Sequence, residues 1–399
     1  MRISDRFPRG CAPDSDRVAI QLTSGPGFCY PLYYFIPSIT ADGRYLVHHR
    51  SDGENVQLHR VDLATGETAQ LTDASWADTQ WHPWDIPAGR GVLDHRSALN
   101  VATAEAIYFD GNEVRAVGVG TREERTLFEL PADRVAIGQN CCSPDGRFFF
   151  FIHHDRDLYR EIYGEPGGER RGGYAYPRHL SRGTKLARLD LETGEHRTVI
   201  AANSPIHHVQ PYGDDKLVFS SLAVERAILV TDYAGGWYTH LRTQADDGGT
   251  TCHYCVTERG ILYEAHSSAG LVAGVVDLEK RRPLEAVLPA SVQAGSSHVA
   301  ADPSGRRLLL ECHDDDHGHT LVFVRRLVGS RGGADGEVEL DYLFGDWPTY
   351  GSGQKSHFHP RVTDDGEHLI ITAGDPSSGT NHVFALDIAD LPETRFAFD

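Results

Sequence analysis

Gln354, His357 and His359 stand in a Q-x-x-H-x-H spacing within GSGQKSHFHP, just ahead of an extended run bounded by turns. Two histidines at i and i+2 of a strand project from one face, so both imidazoles can reach a single ion. The glutamine three residues earlier can add a carbonyl oxygen from the incoming loop. Imidazole together with oxygen suits a divalent ion of intermediate hardness, and the absence of thiolate argues against a structural zinc site. Spacing alone does not separate such a site from ordinary loop histidines, so the elements that carry these residues must decide.

Those elements have an all-β rhythm. Long segments of 3.6 periodicity are missing, and short Val, Ile, Leu, Phe and Tyr runs alternate with Asp-Gly and Gly-rich turns. The runs also repeat. SITADGRYLVHHR followed by VQLHRVDLATGETAQLTD is matched by CCSPDGRFFFFIHHDR followed, after an insert, by TKLARLDLETGEHRTVI. HVAADPSGRRLLLECH and HPRVTDDGEHLIITAG repeat the first half of the unit, and NHVFALDIADL the second. Weaker copies bring the count to about seven units of roughly 40 to 60 residues, the period of a propeller built from four-stranded blades. The expectation is a single seven-bladed β-propeller domain over 1–399, with approximate blades 38–73, 104–131, 141–203, 207–244, 252–290, 297–347 and 357–398. The early segment RVAIQLTS has no partner of its own and is expected to close the ring as a strand of the last blade.

A formal net charge of −19 over 399 residues repels a phosphate backbone and argues against nucleic acid as a partner. It leaves room for a small anionic substrate met by local Arg and His. No run approaches the roughly 18 apolar residues of a membrane helix, and the N-terminal stretch lacks an apolar core for a secretory signal. Seven scattered cysteines fit reduced thiols, so a soluble cytoplasmic protein is expected. The sequence leaves the oligomeric state open.

A propeller brings the starts of its innermost strands together around the axis. The successive unit starts here carry His207 and His208, then His253, then His298, then His357 with His359. Blade cores call for aliphatic and aromatic residues, so histidine at four consecutive unit starts points to a functional cluster at the channel mouth. His298, from the blade beside the one that bears His357 and His359, is the natural third imidazole.

The Q-x-x-H-x-H stretch, the upstream histidine in SSHVAADPSG and the opening unit DGRYLVHHRSDGENVQLHRVDLATGETAQLTD resemble the oligogalacturonate lyases. The likeness runs over most of the chain in repeat layout. That resemblance implies a seven-bladed propeller holding a manganese ion through one glutamine and three histidines, which fall on Gln354, His298, His357 and His359. It implies a catalytic base at His253 and a catalytic arginine at Arg226, in VERAILVTDYAGG. Two segments depart from the family: CHYCV follows a different pattern around the base, and FSSLAVE precedes the arginine. His208 and Arg50 are the candidates for substrate contacts.

The implied reaction is β-elimination on a short, acidic uronic-acid oligosaccharide. A base removes the C5 proton α to the carboxylate, and the glycosidic oxygen leaves from C4. A divalent cation, Mn2+ by the resemblance, and Arg226 would stabilise the carboxylate as charge builds on it, and imidazole suits the base because it titrates near neutral pH. The alternatives are a lyase or isomerase on another acidic sugar, or a propeller that binds a protein or peptide without catalysis.

Other stretches carry weaker signals. Cys252 and Cys255 bracket His253 as C-x-x-C, but i and i+3 of a strand face opposite ways. Cys141 and Cys142 read as small buried residues at a blade start, and HDDDHGHT (313–320) as an exposed acidic turn. The insert Asp157 to Gly183 reads as a solvated loop over one face; its Arg160, Arg170, Arg171, Arg178 and Arg182 stand out in an acidic chain, with an anion-facing lid as the alternative. A peptidase reading fails for want of a G-x-S-x-G elbow.

Overall fold

The protein is described here from a computed structural model that covers residues 1–76, 90–93, 95–163, 183–202, 206–221, 227–243, 250–267, 269–278, 282–292, 296–314, 318–330, 336–351 and 356–398. The sequence repeat is a self-supporting unit. In blade 1, Asp62 of the LDLATGE segment accepts backbone N–H bonds from Ala64 and Thr65 at 3.0 and 3.1 Å, and Gly66 takes φ +79° to complete the turn. Arg44, the arginine of the preceding Asp-Gly-Arg turn, reaches the same carboxylate at 3.0 Å. Blade 3 repeats every part: Asp190 accepts from Glu192 and Thr193 at 3.0 Å each, Gly194 sits at φ +74°, and Arg147 closes on Asp190 at 2.9 Å. Each repeat therefore ties the turn between its first two strands to the turn between its last two.

Seven such sheets stand around one axis as a seven-bladed β-propeller, with almost no helix. Their innermost strands begin the sheets at Phe28–Pro31, Ala98–Asn100, Arg134–Cys142, Ile206–Tyr212, Thr250–Thr257, Ser296–Ala301 and Arg361–Val362, here blades 1 to 7. Blade 7 is completed by the N-terminal region: Ala19, Ile20 and Gln21 pair antiparallel with Leu386, Ala385 and Phe384. A further strand, Arg9–Cys11, adds to that edge, so neither neighbour is left as a bare edge. At the other terminus Arg395–Phe398 returns to blade 6 and pairs parallel with the far end of Gly318–Gly329.

Two details differ from the sequence reading. The inner strand of blade 3 starts at Arg134, so Cys141 and Cys142 lie at its end rather than at a blade start. The insert opens as a helix, Arg156–Tyr163, whose first turn is capped by Asp155 accepting the Leu158 N–H at 3.0 Å; residues 164–182 lie outside the described residues. Among the described residues no helix is long and apolar enough to cross a membrane.

The channel is crossed near its middle by a segment of blade 1. After Pro31 the chain leaves the sheet and rejoins it at the Ile39–Leu46 bridge. Ser38 pins the detour by accepting the Leu32 N–H at 3.0 Å on its hydroxyl. Tyr33, Tyr34 and Phe35 fill the axis, packed on one another with centroids 4.8 to 5.4 Å apart and all buried. Beyond this plug, toward the ends of the inner strands, lies a cavity of about 450 Å³ whose lining includes Cys141, Cys142, Gln210, Cys255 and Arg361.

Candidate metal and acid–base centre

The inner strands of blades 4, 5 and 6 are not regular at the channel. Each has a bulge against its second strand: between His207 and Gln210, between Thr251 and His253, and between Ser296 and Val299. A bulge re-aims the side chains around it: His208 and His298 lie within theirs, and His253 follows directly after the extra residue of blade 5, paired with Glu264. His208 and His359 go further and adopt φ of +55° and +46°, left-handed values that cost energy for a residue with a Cβ. His95, ahead of the inner strand of blade 2, does the same at +54°.

These devices gather the imidazoles predicted to meet. The ring of His298 lies 4.7 Å from His359, 5.2 Å from His357 and 4.4 Å from His253, while His357 and His359 are 5.9 Å apart. His298 and His359 are buried. His253 and His357 keep 22% and 25% of their side-chain surface, so these two face whatever enters the channel mouth.

Behind them stand two carboxylates that apolar strands would not ordinarily carry. Glu311, fully buried on the second strand of blade 6, accepts from His298 Nδ1 at 2.8 Å, from His319 Nδ1 at 2.8 Å and from the Phe358 N–H at 2.9 Å. His357 Nδ1 is 4.0 Å from the same carboxylate. Burial alone would raise the Glu311 pKa, but the contacts from His298 and His319 outweigh it and hold it well below the usual carboxylate range. Glu264, at the matching place in blade 5, lies 3.0 Å from His253 Nδ1. An ionised carboxylate can only accept, so opposite one a neutral imidazole carries its hydrogen on Nδ1 and keeps its lone pair on Nε2.

For His298 that lone pair is buried and, among the described residues, without a hydrogen-bond partner. Burial and the neighbouring His253 push the His298 pKa down to about 3, so the ring stays neutral. Burial likewise lowers His359 well below its ordinary value. Clustered imidazoles, with His298 and His359 held neutral and His298 oriented by a buried carboxylate, are the donor type that suits a divalent cation of the zinc or manganese kind. His298, Glu311 and His357 also offer three ligand atoms within 4.8 Å of one another. The hydrogen bonds on Glu311 give it the task of orienting His298.

The other sequence candidates separate. His208 is buried in the same cluster, 5.3 Å from His253, with Nε2 3.4 Å from the Tyr33 hydroxyl and Nδ1 3.3 Å from Ser220 Oγ. Arg50 sits near the start of the inner strand of blade 1, where its guanidinium donates to the Pro26 carbonyl at 2.7 and 3.1 Å. Gln354 and Arg226 lie outside the described residues.

Five contributors escape sequence reasoning. Tyr33 stacks between His208 and His359 at 5.9 and 4.7 Å, and Tyr34 lies 4.8 Å from His298. Nothing in PLYYFIP distinguishes a channel plug from an ordinary apolar strand. Glu264 and Glu311 do carry a signal: ILYEAH and LLLECH place a lone Glu at one position of otherwise apolar strands. His319, read as part of an exposed acidic turn, is instead inside the strand Gly318–Gly329 and buried against Phe358 at 4.7 Å.

No protein-family model matches the chain, and no curated protein sequence does. Among solved structures it is similar to an oligogalacturonate lyase from Vibrio parahaemolyticus, with a TM-score of 0.74 and 16% identity over 97% of this chain and 98% of that one. It is similar in the same degree to an oligogalacturonate lyase in complex with manganese, TM-score 0.74 and 18% identity over 98% and 99% of the two chains. A prolyl endopeptidase matches with a TM-score of 0.51 and 11% identity, over 91% of this chain but 52% of that one. At these identities the likeness establishes the fold.

Proposed function

We propose that the protein is a metal-dependent lyase that cleaves short uronic-acid oligosaccharides of the oligogalacturonate kind by β-elimination. The observation that carries this reading is the group of imidazoles of His298, His357 and His359, with a fourth imidazole, His253, 4.4 Å from His298 and open to the channel mouth. The similarity to two oligogalacturonate lyases supports it, one of them a manganese complex.

His298, His357 and His359, joined by Gln354, would hold the divalent cation, Mn2+ on this proposal, which supplies Lewis-acid polarisation of the substrate carboxylate. His253 takes the C5 proton on Nε2, the C4–C5 double bond forms, and the C4–O bond breaks with the oxygen leaving to be protonated from solvent. Arg226 adds positive charge beside the carboxylate, while His208 and Arg50 contact the anionic sugar. The plug of Tyr33, Tyr34 and Phe35 excludes bulk water from beneath the reacting ring. Among the described residues six cysteines are free thiols, in keeping with a cytoplasmic setting.

The test is growth of near-ultraviolet absorbance on a panel of uronate di- and trisaccharides, with Mn2+ and then with chelator. A chelator-sensitive rise on galacturonate oligomers is expected. A rise on a different uronate alone moves the substrate to another acidic sugar. No rise on any member, with no metal retained, overturns the lyase reading in favour of a binding propeller.

A further inference from the structure

We infer that Glu264 is the positioning residue of the acid–base site: it fixes the tautomer and the aim of His253. The inference deepens the reading above and rests on His253 being the base.

Three neighbouring blades present the same arrangement with different chemistry. Each places a histidine within or directly after the inner-strand bulge and a polar partner on the second strand: Ser220 behind His208, Glu264 behind His253 and Glu311 behind His298. The hydroxyl stands 3.3 Å from its histidine, and it can donate or accept, so it leaves the tautomer of His208 undetermined. An ionised carboxylate can only accept, so it forces hydrogen onto Nδ1 and exposes the Nε2 lone pair to the channel. Carboxylates stand behind the two histidines that need such a lone pair, one for an ion and one for a proton.

Glu311 is held by three N–H groups and knits blades 6 and 7 together, so its burial has a structural explanation. Glu264 has no comparable explanation. It is fully buried, its Oε1 meets His253 at 3.0 Å, and its Oε2 has no hydrogen-bond partner among the described residues. A buried carboxylate oxygen left so is costly and calls for a role beyond packing. The ring it holds is hemmed in on its other sides by His208 at 5.3 Å, His298 at 4.4 Å and the edge of Tyr34 at 5.6 Å, while Cys312 of blade 6 borders the carboxylate. Among the described residues none of these hydrogen-bonds the His253 ring, so the contact that sets its tautomer is the one to Glu264.

The experiment compares Glu264→Ala and the isosteric Glu264→Gln, each loaded with Mn2+. Removing the acceptor should lower kcat by about 10²- to 10³-fold, with KM within about threefold and metal content unchanged. Glutamine, whose carbonyl can still accept from Nδ1–H, should restore at least about a tenth of the wild-type kcat. In parallel, long-range 15N–1H spectra of the metal-free proteins read the tautomer directly, with the His253 signal assigned by its loss in His253→Ala. His253 should be the Nδ1–H form in wild type and a mixture in Glu264→Ala. A kcat within threefold of wild type in Glu264→Ala, a loss confined to KM, or an unchanged tautomer would overturn the assignment. If wild type makes no unsaturated product the lyase reading fails, and the spectra still decide whether Glu264 orients His253. Should the alanine variant not fold, the glutamine variant decides by its kcat and tautomer alone: a kcat below about a hundredth of wild type, or a changed tautomer, would overturn the assignment.

Discussion

The two ends of the channel are built from the same strands and carry opposite chemistry. At or just ahead of the starts of the inner strands stand His208, His253 and His359; two residues further along stand Gln210, Cys255 and Arg361 around the lower cavity. Tyr33 to Phe35 lie between. At the lower end burial raises the thiols, Cys255 to about 12 and Cys141 well above its ordinary value, so they remain neutral and inert. At the upper end polar rings are buried at the cost of bulges, left-handed backbone and two interior carboxylates. A neutral thiol is buried at little cost; an imidazole lone pair buried without a partner is costly. The difference marks which end is built for chemistry.

That contrast can be broken at several points. The largest expected effect is at His357→Ala, which should lose bound metal by elemental analysis together with all measurable turnover; retained metal would remove His357 from the ligand set. His253→Ala should lower kcat by at least about 10²- to 10⁴-fold while the metal stays. Tyr33→Ala opens the two ends into one another and should cost about 3–5 kcal/mol in chemical denaturation, with activity falling as water enters. Acid should then expose the burden of the imidazoles. Burial holds His48 and His207 down at about 3 and His153 at about 2, below the ordinary 6.5, so the unfolded chain binds protons that the folded one refuses. Their contribution is complete above pH 6.5 and is lost as the pH falls from there toward 3; a flat stability over that window would contradict their burial as neutral rings. The smallest effect is reserved for the lower end. Cys255→Ala removes a thiol that meets the Val299 carbonyl at 3.4 Å, and kcat should stay within about twofold at a stability cost of about 1 kcal/mol. A large catalytic loss there would show that the two ends do not act separately.

Much of the fold was legible because the repeat unit is local. Asp-Gly-Arg and LDL-x-T-GE name turn residues whose hydrogen bonds lie within one blade; with weaker copies of the unit the count reaches seven, and the unpartnered RVAIQLTS supplies the closing strand Val18–Gln21. The histidines were legible for a similar reason: each marks the start of a unit, and the symmetry of the ring brings unit starts together. What escaped depends on contacts between distant units. The detour of Tyr33 and Tyr34 is set by Ser38 and by rings from blades 4, 6 and 7, none adjacent in sequence. His319 looked like part of an acidic turn because its partner, Glu311, lies across a strand pair rather than along the chain.

Blade 7 has one further consequence, for the order of events in folding. Its His357–His359 loop leads into a sheet whose outer strands, Val18–Gln21 and Arg9–Cys11, lie at the opposite end of the chain. Such pairings are the slowest to form, because almost the whole chain must be looped before they gain anything. His298 and its carboxylate can be in place within blade 6 alone, but the remaining two imidazoles await ring closure. Recovery of metal affinity during refolding would therefore serve as a clock for the joining of the two ends of the chain.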